Sequence, residues 1–142
     1  MSDTVKTLAA KADIADLVHT YALNIRRGQP DACAALFTQD ATFEVRDCDP
    51  FHPKDAVQRY RKVGRSEIAG SIGAAGASVR MFPAIHNLIV TIDGDEAKAT
   101  SLMIATAFPS LNETIGDYDD SFRCEAGVWR FTSRIYTIYR AS

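Results

Sequence analysis

HNLIVTIDGDEAKATSLMIATAF, residues 86–108, is the stretch that decides the fold. Two runs rich in Ile, Val, Thr and Ala flank Asp93-Gly94-Asp95, and an Asp-Gly pair accepts the positive φ that a tight hairpin turn requires. A second unit of the same design follows. YDDSFRCE and VWRFTSRIYTIYR flank Ala126-Gly127, which reads as another hairpin turn. From Met81 onward the chain therefore predicts long antiparallel strands.

The first half has a different period. Between about Thr4 and Arg27, Ile14, Leu17, Val18, Tyr21 and Ile25 recur at three- and four-residue intervals and form one apolar helix stripe. Gly28 supplies a stop, because glycine takes the left-handed conformation that closes a helix. Pro30 suits the first turn of a short second helix, where its missing N–H costs nothing. TQDATFEV then turns into a strand with Phe43 and Val45 on one face and Thr42 and Glu44 on the other. Residues 46–56 read as a polar loop broken by Pro50 and Pro53. VQRYRKV reads as a short strand, and GRSEIAGSI as a helix with Ser66 as N-cap and Ile68 and Ile72 facing inward. The Gly/Ala/Ser run at 70–78 suits a flexible small-residue segment. Helices first and antiparallel strands after them describe one α+β domain over 1–142, with helices packed on one face of a curved sheet.

Composition limits the function classes. A chain of 142 residues buries a core without disulfides or metal, and its net charge of −2 argues against nucleic acid or an anionic membrane as partner. Its apolar runs are far shorter than a membrane span, and residues 1–20 lack the apolar core of a signal peptide, so a cytoplasmic protein is expected. The three cysteines, Cys33, Cys48 and Cys124, have no metal-like spacing and form no even framework. No glycine-rich phosphate cradle is present.

Four segments together carry a resemblance: ADIADLVHTYALNIRRGQPDACAALFTQDATFE, VGRSEI, HNLIVTIDGDEAKATS and GDYDDSFRCEAGVWRFTSR. In this order they resemble the SnoaL-like group of the nuclear transport factor 2-like superfamily. The resemblance implies a cone-shaped α+β fold in which a bent antiparallel sheet wraps around helices and encloses a pocket. It also implies a small hydrophobic ligand, no metal or organic cofactor, and a homodimer formed through the open sheet face. Relatives include dehydratases, isomerases, polyketide cyclases and non-catalytic subunits, so the fold alone names no reaction. Enzymes of the dehydratase branch pair a histidine base with an aspartate that orients it. In this sequence the aspartate position falls on Arg26 and the histidine position on Pro83, so both halves of that pair are replaced.

The remaining candidates each admit a structural and a functional reading. His86 shares a strand face with Leu88, Val90 and Ile92 by simple alternation, as a core residue or as a base needing a carboxylate from Glu44, Asp117 or Asp120. Tyr21 falls in the helix stripe, where its ring packs and its hydroxyl seeks a partner or polarises a carbonyl. Asn24 lies near that stripe. Arg26 sits roughly 120° from the stripe centre, which favours solvent. The resemblance instead puts Arg26 at the pocket mouth, reading an anionic group. Tyr118 and Asp120 offer polar groups from the last strands, although DYDD also reads as a solvated strand edge. His19 and His52 read as surface residues. Two functions follow: a cofactor-independent lyase, isomerase or cyclase acting on a hydrophobic carbonyl compound, or a ligand-binding, subunit-like protein with no chemistry of its own.

Overall fold

The computed structural model describes residues 2–74 and 78–141. Among them are three helices, α1 (Asp3–Arg26), α2 (Pro30–Ala34) and α3 (Arg65–Gly73). Six strands accompany them: β1 (Phe37–Cys48), β2 (Val57–Val63), β3 (Arg80–Asp93), β4 (Glu96–Phe108), β5 (Glu113–Glu125) and β6 (Val128–Tyr139). None of the described helices is long and apolar enough to cross a membrane. The run at 70–78 extends α3 to Gly73, and its members 75–77 lie outside the described residues.

Local chemistry explains the helix ends. The Ser2 hydroxyl accepts the Val5 N–H at 3.2 Å and caps α1. Gly28, at φ +66°, closes the other end, and the Arg80 guanidinium lies against it. The stripe Ile14, Leu17, Val18 and Tyr21 is buried as its spacing requires. For α3 the cap is Gly64, at φ 84°, and not Ser66, which lies inside the helix.

The strands form one open sheet in the order β2-β1-β6-β5-β4-β3. Neighbours pair antiparallel except β1 and β6, which run parallel, so the sheet is mixed and not purely antiparallel. Both hairpin turns are present, with Gly94 at φ 62°, Ala126 at φ 53° and Gly127 at φ 80°. Proline at position 83 is tolerated because β3 is an edge strand with one side free of ladder bonds.

Two irregularities decide which side chains reach the interior. In β3 the register slips between His86 and Ile89, with Asn87 at φ 53°. An extra residue in a strand reverses its alternation. Met81, Pro83 and Ile85 face inward before the slip, and Leu88, Val90 and Ile92 after it. In β5 and β6 the register shifts between Ser121 and Phe122, which sets Asp120 opposite Arg134. Between helices and sheet lies an aromatic core of Tyr21, Phe37, Phe43, Phe122 and Phe131, in which Phe37 and Phe131 stack at 4.9 Å.

Candidate functional site

A cavity of about 220 Å³ opens where the C-terminal half of α1, the end of α3 and the inner face of the sheet meet. Tyr21 and Ile25 reach it from α1, Ser71 and Ile72 from α3, and Tyr60 and Phe43 from β2 and β1. Met81, Pro83, Met103, Ala105, Tyr118 and Tyr136 complete the wall from β3 to β6. Apolar side chains dominate, and the polar atoms among these residues' side chains are hydroxyls. Ser71 Oγ donates to Tyr60 Oη at 3.2 Å, which ties α3 to the β2 edge.

Burial fixes the protonation of Tyr21, Tyr118 and Tyr136. Desolvation pushes Tyr21 well above its ordinary value and also raises Tyr118 and Tyr136, because a phenolate in an apolar wall has lost its water. The neighbouring Arg134 charge offsets part of this for Tyr21 and Tyr118. The hydroxyls are therefore neutral at physiological pH. They donate hydrogen bonds and are poor proton acceptors.

Behind this wall is a buried ion pair. Arg134 Nε donates to Asp120 Oδ1 at 2.8 Å and Arg134 Nη2 to Asp120 Oδ2 at 3.1 Å, with both side chains fully buried. The guanidinium carbon lies 3.4 Å from the ring centre of Tyr118, 4.4 Å from that of Tyr21 and 4.7 Å from that of Phe131. Bidentate pairing and three aromatic faces compensate the charge where water cannot. Burial raises the Asp120 carboxyl, with Arg134 offsetting part of the shift. Arg134 Nη1 is buried with no hydrogen-bond partner, and so is Ser101 Oγ, cross-strand from Tyr118.

The candidate residues separate clearly in space. Tyr21 and Tyr118 line the cavity, and Asp120 stands behind it as the partner of Arg134. Asp120 is thus no solvated strand-edge carboxylate: alternation along DYDD leaves Asp119 exposed and Asp120 buried. His86 is exposed and does not share a face with Leu88, Val90 and Ile92, because the bulge at Asn87 turns it to the outer side of the sheet. Asn24 is half-buried and outside the cavity wall. Arg26 is exposed beside a separate shallow pocket with His19, Leu23 and Pro83, and its carbonyl accepts from Arg80 Nη1 at 3.1 Å. Its helical phase agrees with that placement. Pro83, at the position where the resemblance expects histidine, does line the cavity.

Sequence reasoning missed Tyr60, Ser71, Met81 and Met103 as cavity residues and left Arg134 among many polar strand tips. For Arg134 the available signal was the hairpin at Ala126-Gly127, but unbroken counting from that turn pairs Asp120 with Ser133. The one-residue shift brings Arg134 opposite instead.

The model for the SnoaL-like domain matches residues 6–135. Comparison with the curated proteins finds no match. Among solved structures, Rv3472, a protein from Mycobacterium tuberculosis described as of unknown function, superposes with a TM-score of 0.83 at 23% identity. It covers 99% of this chain and 78% of its own. A provisionally named β subunit of an aromatic-ring-hydroxylating dioxygenase from Novosphingobium aromaticivorans gives 0.79 at 18% identity over 95% and 92%. A provisionally named scytalone dehydratase from the same organism gives 0.74 at 22% identity over 97% and 88%. At these identities the likeness is one of fold. With the family model matched over residues 6–135, the chain belongs to the SnoaL-like domain family.

Proposed function

We propose that this protein binds a small, flat, largely apolar molecule in the cavity between α1, α3 and the sheet, and that it acts as a ligand-binding member of its family. One observation carries the reading. The described residues lining the cavity are apolar side chains, four tyrosines and a serine, with no histidine, carboxylate or lysine among them. Acid–base conversion needs a group that takes a proton near neutral pH, and buried tyrosines do not. The size supports a ligand of one or two rings, since an apolar cavity of about 150 Å³ holds benzene. Tyrosine hydroxyls would orient an oxygen on that ligand while the methionines and Ile72 adapt to its body.

The test is thermal unfolding with bicyclic ring compounds, followed by chemical analysis of the recovered ligand. At about 100 times Kd, binding stabilises by ~2.7 kcal/mol, or about 5–10 °C in Tm for a chain of this size. Saturable stabilisation with the ligand recovered unchanged supports the reading. Turnover that is abolished by Tyr118→Phe would replace it with the lyase or isomerase reading.

We also propose a homodimer through the outer sheet face. Phe82, Ile89 and Ile115 are 42%, 66% and 44% exposed there. Solution mass decides it: twice the chain mass supports the dimer, and the monomer mass at micromolar concentration refutes it.

A further inference from the structure

We propose that Arg134 is the specificity-determining residue of the cavity, and that it selects an uncharged ligand bearing a carbonyl oxygen over a carboxylate. This deepens the binding reading above and rests on it. Three observations lead to the ligand class.

The first is the unpartnered donor. Nε and Nη2 of Arg134 are both engaged by one carboxylate, so Nη1 is the corner of the fork that points away from Asp120. It is buried and has no hydrogen-bond partner. An unmet donor of a charged group is costly, which marks a place for one acceptor atom.

The second is charge balance. Arg134 and Asp120 are both fully buried and neutralise each other. A carboxylate ligand would bring a net negative charge into an apolar interior and would face the Asp120 anion. A carbonyl oxygen accepts from Nη1 and adds no charge.

The third is access. The guanidinium carbon lies 3.4, 4.4 and 4.7 Å from the ring centres of Tyr118, Tyr21 and Phe131, which crowd the charged group. Tyr21 and Tyr118 also line the cavity and meet edge to face with ring centres 6.3 Å apart. On this proposal, rotation of one of these rings would open the path from the cavity to Nη1. The buried hydroxyl of Ser101, cross-strand from Tyr118, supplies a second polar atom beside that path.

The experiment compares three probes by calorimetric titration: 1-tetralone, its oxygen-free counterpart tetralin, and the anion 1-naphthoate. Wild type should bind 1-tetralone about tenfold more tightly than tetralin and should bind 1-naphthoate more weakly than either. An Asp120→Leu/Arg134→Met double variant, which leaves no unpaired buried charge, should lose most of that tenfold preference and keep only what the tyrosine hydroxyls supply. A role of Arg134 in packing alone would weaken both probes together and leave their ratio unchanged. In case the double variant does not fold, the infrared carbonyl stretch of 1-tetralone bound to wild type supplies an independent reading. It should fall below its value in an apolar solvent. An unshifted stretch, equal wild-type affinities for 1-tetralone and tetralin, or tightest binding of 1-naphthoate would each overturn the proposal while leaving the binding reading intact. If neither neutral probe binds, the binding reading itself fails.

Discussion

Removal of the Asp120 carboxylate is the perturbation whose size follows most directly from this structure. In Asp120→Leu, Arg134 keeps its charge and its burial but loses the acceptors of both Nε and Nη2, at 2.8 and 3.1 Å. Since Nη1 already has no partner, every N–H of the fork would then depend on aromatic faces alone. Breaking a buried pair from one side costs about 3–5 kcal/mol, against a total stability of about 5–15 kcal/mol for a domain. Replacing both partners with apolar groups is a different matter, because the desolvation of two charges disappears together with their attraction. Asp120→Leu/Arg134→Met should therefore recover most of the loss, with a coupling energy of about 2–3 kcal/mol. Urea unfolding followed by circular dichroism and by Trp129 fluorescence measures wild type, Asp120→Leu, Arg134→Met and the double variant on one scale. A cost below about 1 kcal/mol for the single change, or simple additivity in the double variant, would refute the view that this pair is closed off from water.

Other predictions address the rest of the architecture. His86→Ala should leave cavity affinity unchanged beyond error in calorimetry, because the side chain is exposed on the far side of the sheet. A tenfold loss of affinity would reinstate His86 as a cavity residue. Gly116→Ala should destabilise by about 2 kcal/mol or more in urea titrations, since a Cβ there would lie 2.2 Å from the Thr137 carbonyl oxygen and 3.0 Å from the Tyr136 ring; a neutral effect would contradict the β5–β6 spacing. Asp47 accepts hydrogen bonds from Arg140 and Arg59, which hold its carboxyl below the ordinary value. A depressed carboxylate stabilises the fold above its unfolded pKa, and that contribution is lost as pH falls through its folded value. The Tm difference between wild type and Asp47→Asn should be present at pH 7 and close below about pH 4. A difference that grows toward acid would reverse the assignment.

Local chemistry made much of this fold legible in the sequence. The two hairpin turns fall where Gly94 and Gly127 supply the positive φ that they require. The α1 stripe is buried where its period places it, and Gly28 stops the helix. What could not be read depends on pairing between distant segments. The parallel pairing of β1 with β6 joins strands separated by most of the chain, and no residue near either strand announces it. The orientation of His86 turns on a single extra residue, and Asn87, a poor strand former that tolerates left-handed backbone, was its only local trace. Tyr60 and Tyr136 meet at the cavity only because β2 and β6 flank the same strand, β1. The cavity was expected from the resemblance, whereas its chemistry, neutral hydroxyls over a buried Arg134–Asp120 pair, needed both registers.

The cavity between α1, α3 and the sheet is proposed as the ligand site. A crystal structure of the protein saturated with 1-tetralone tests it most directly. The predicted result is a bicyclic ring held among Tyr60, Met81, Met103 and Tyr136, with its oxygen directed toward Tyr118 and Arg134. A cavity empty at saturation, or a ligand seated on the outer sheet face beside His86, would contradict it.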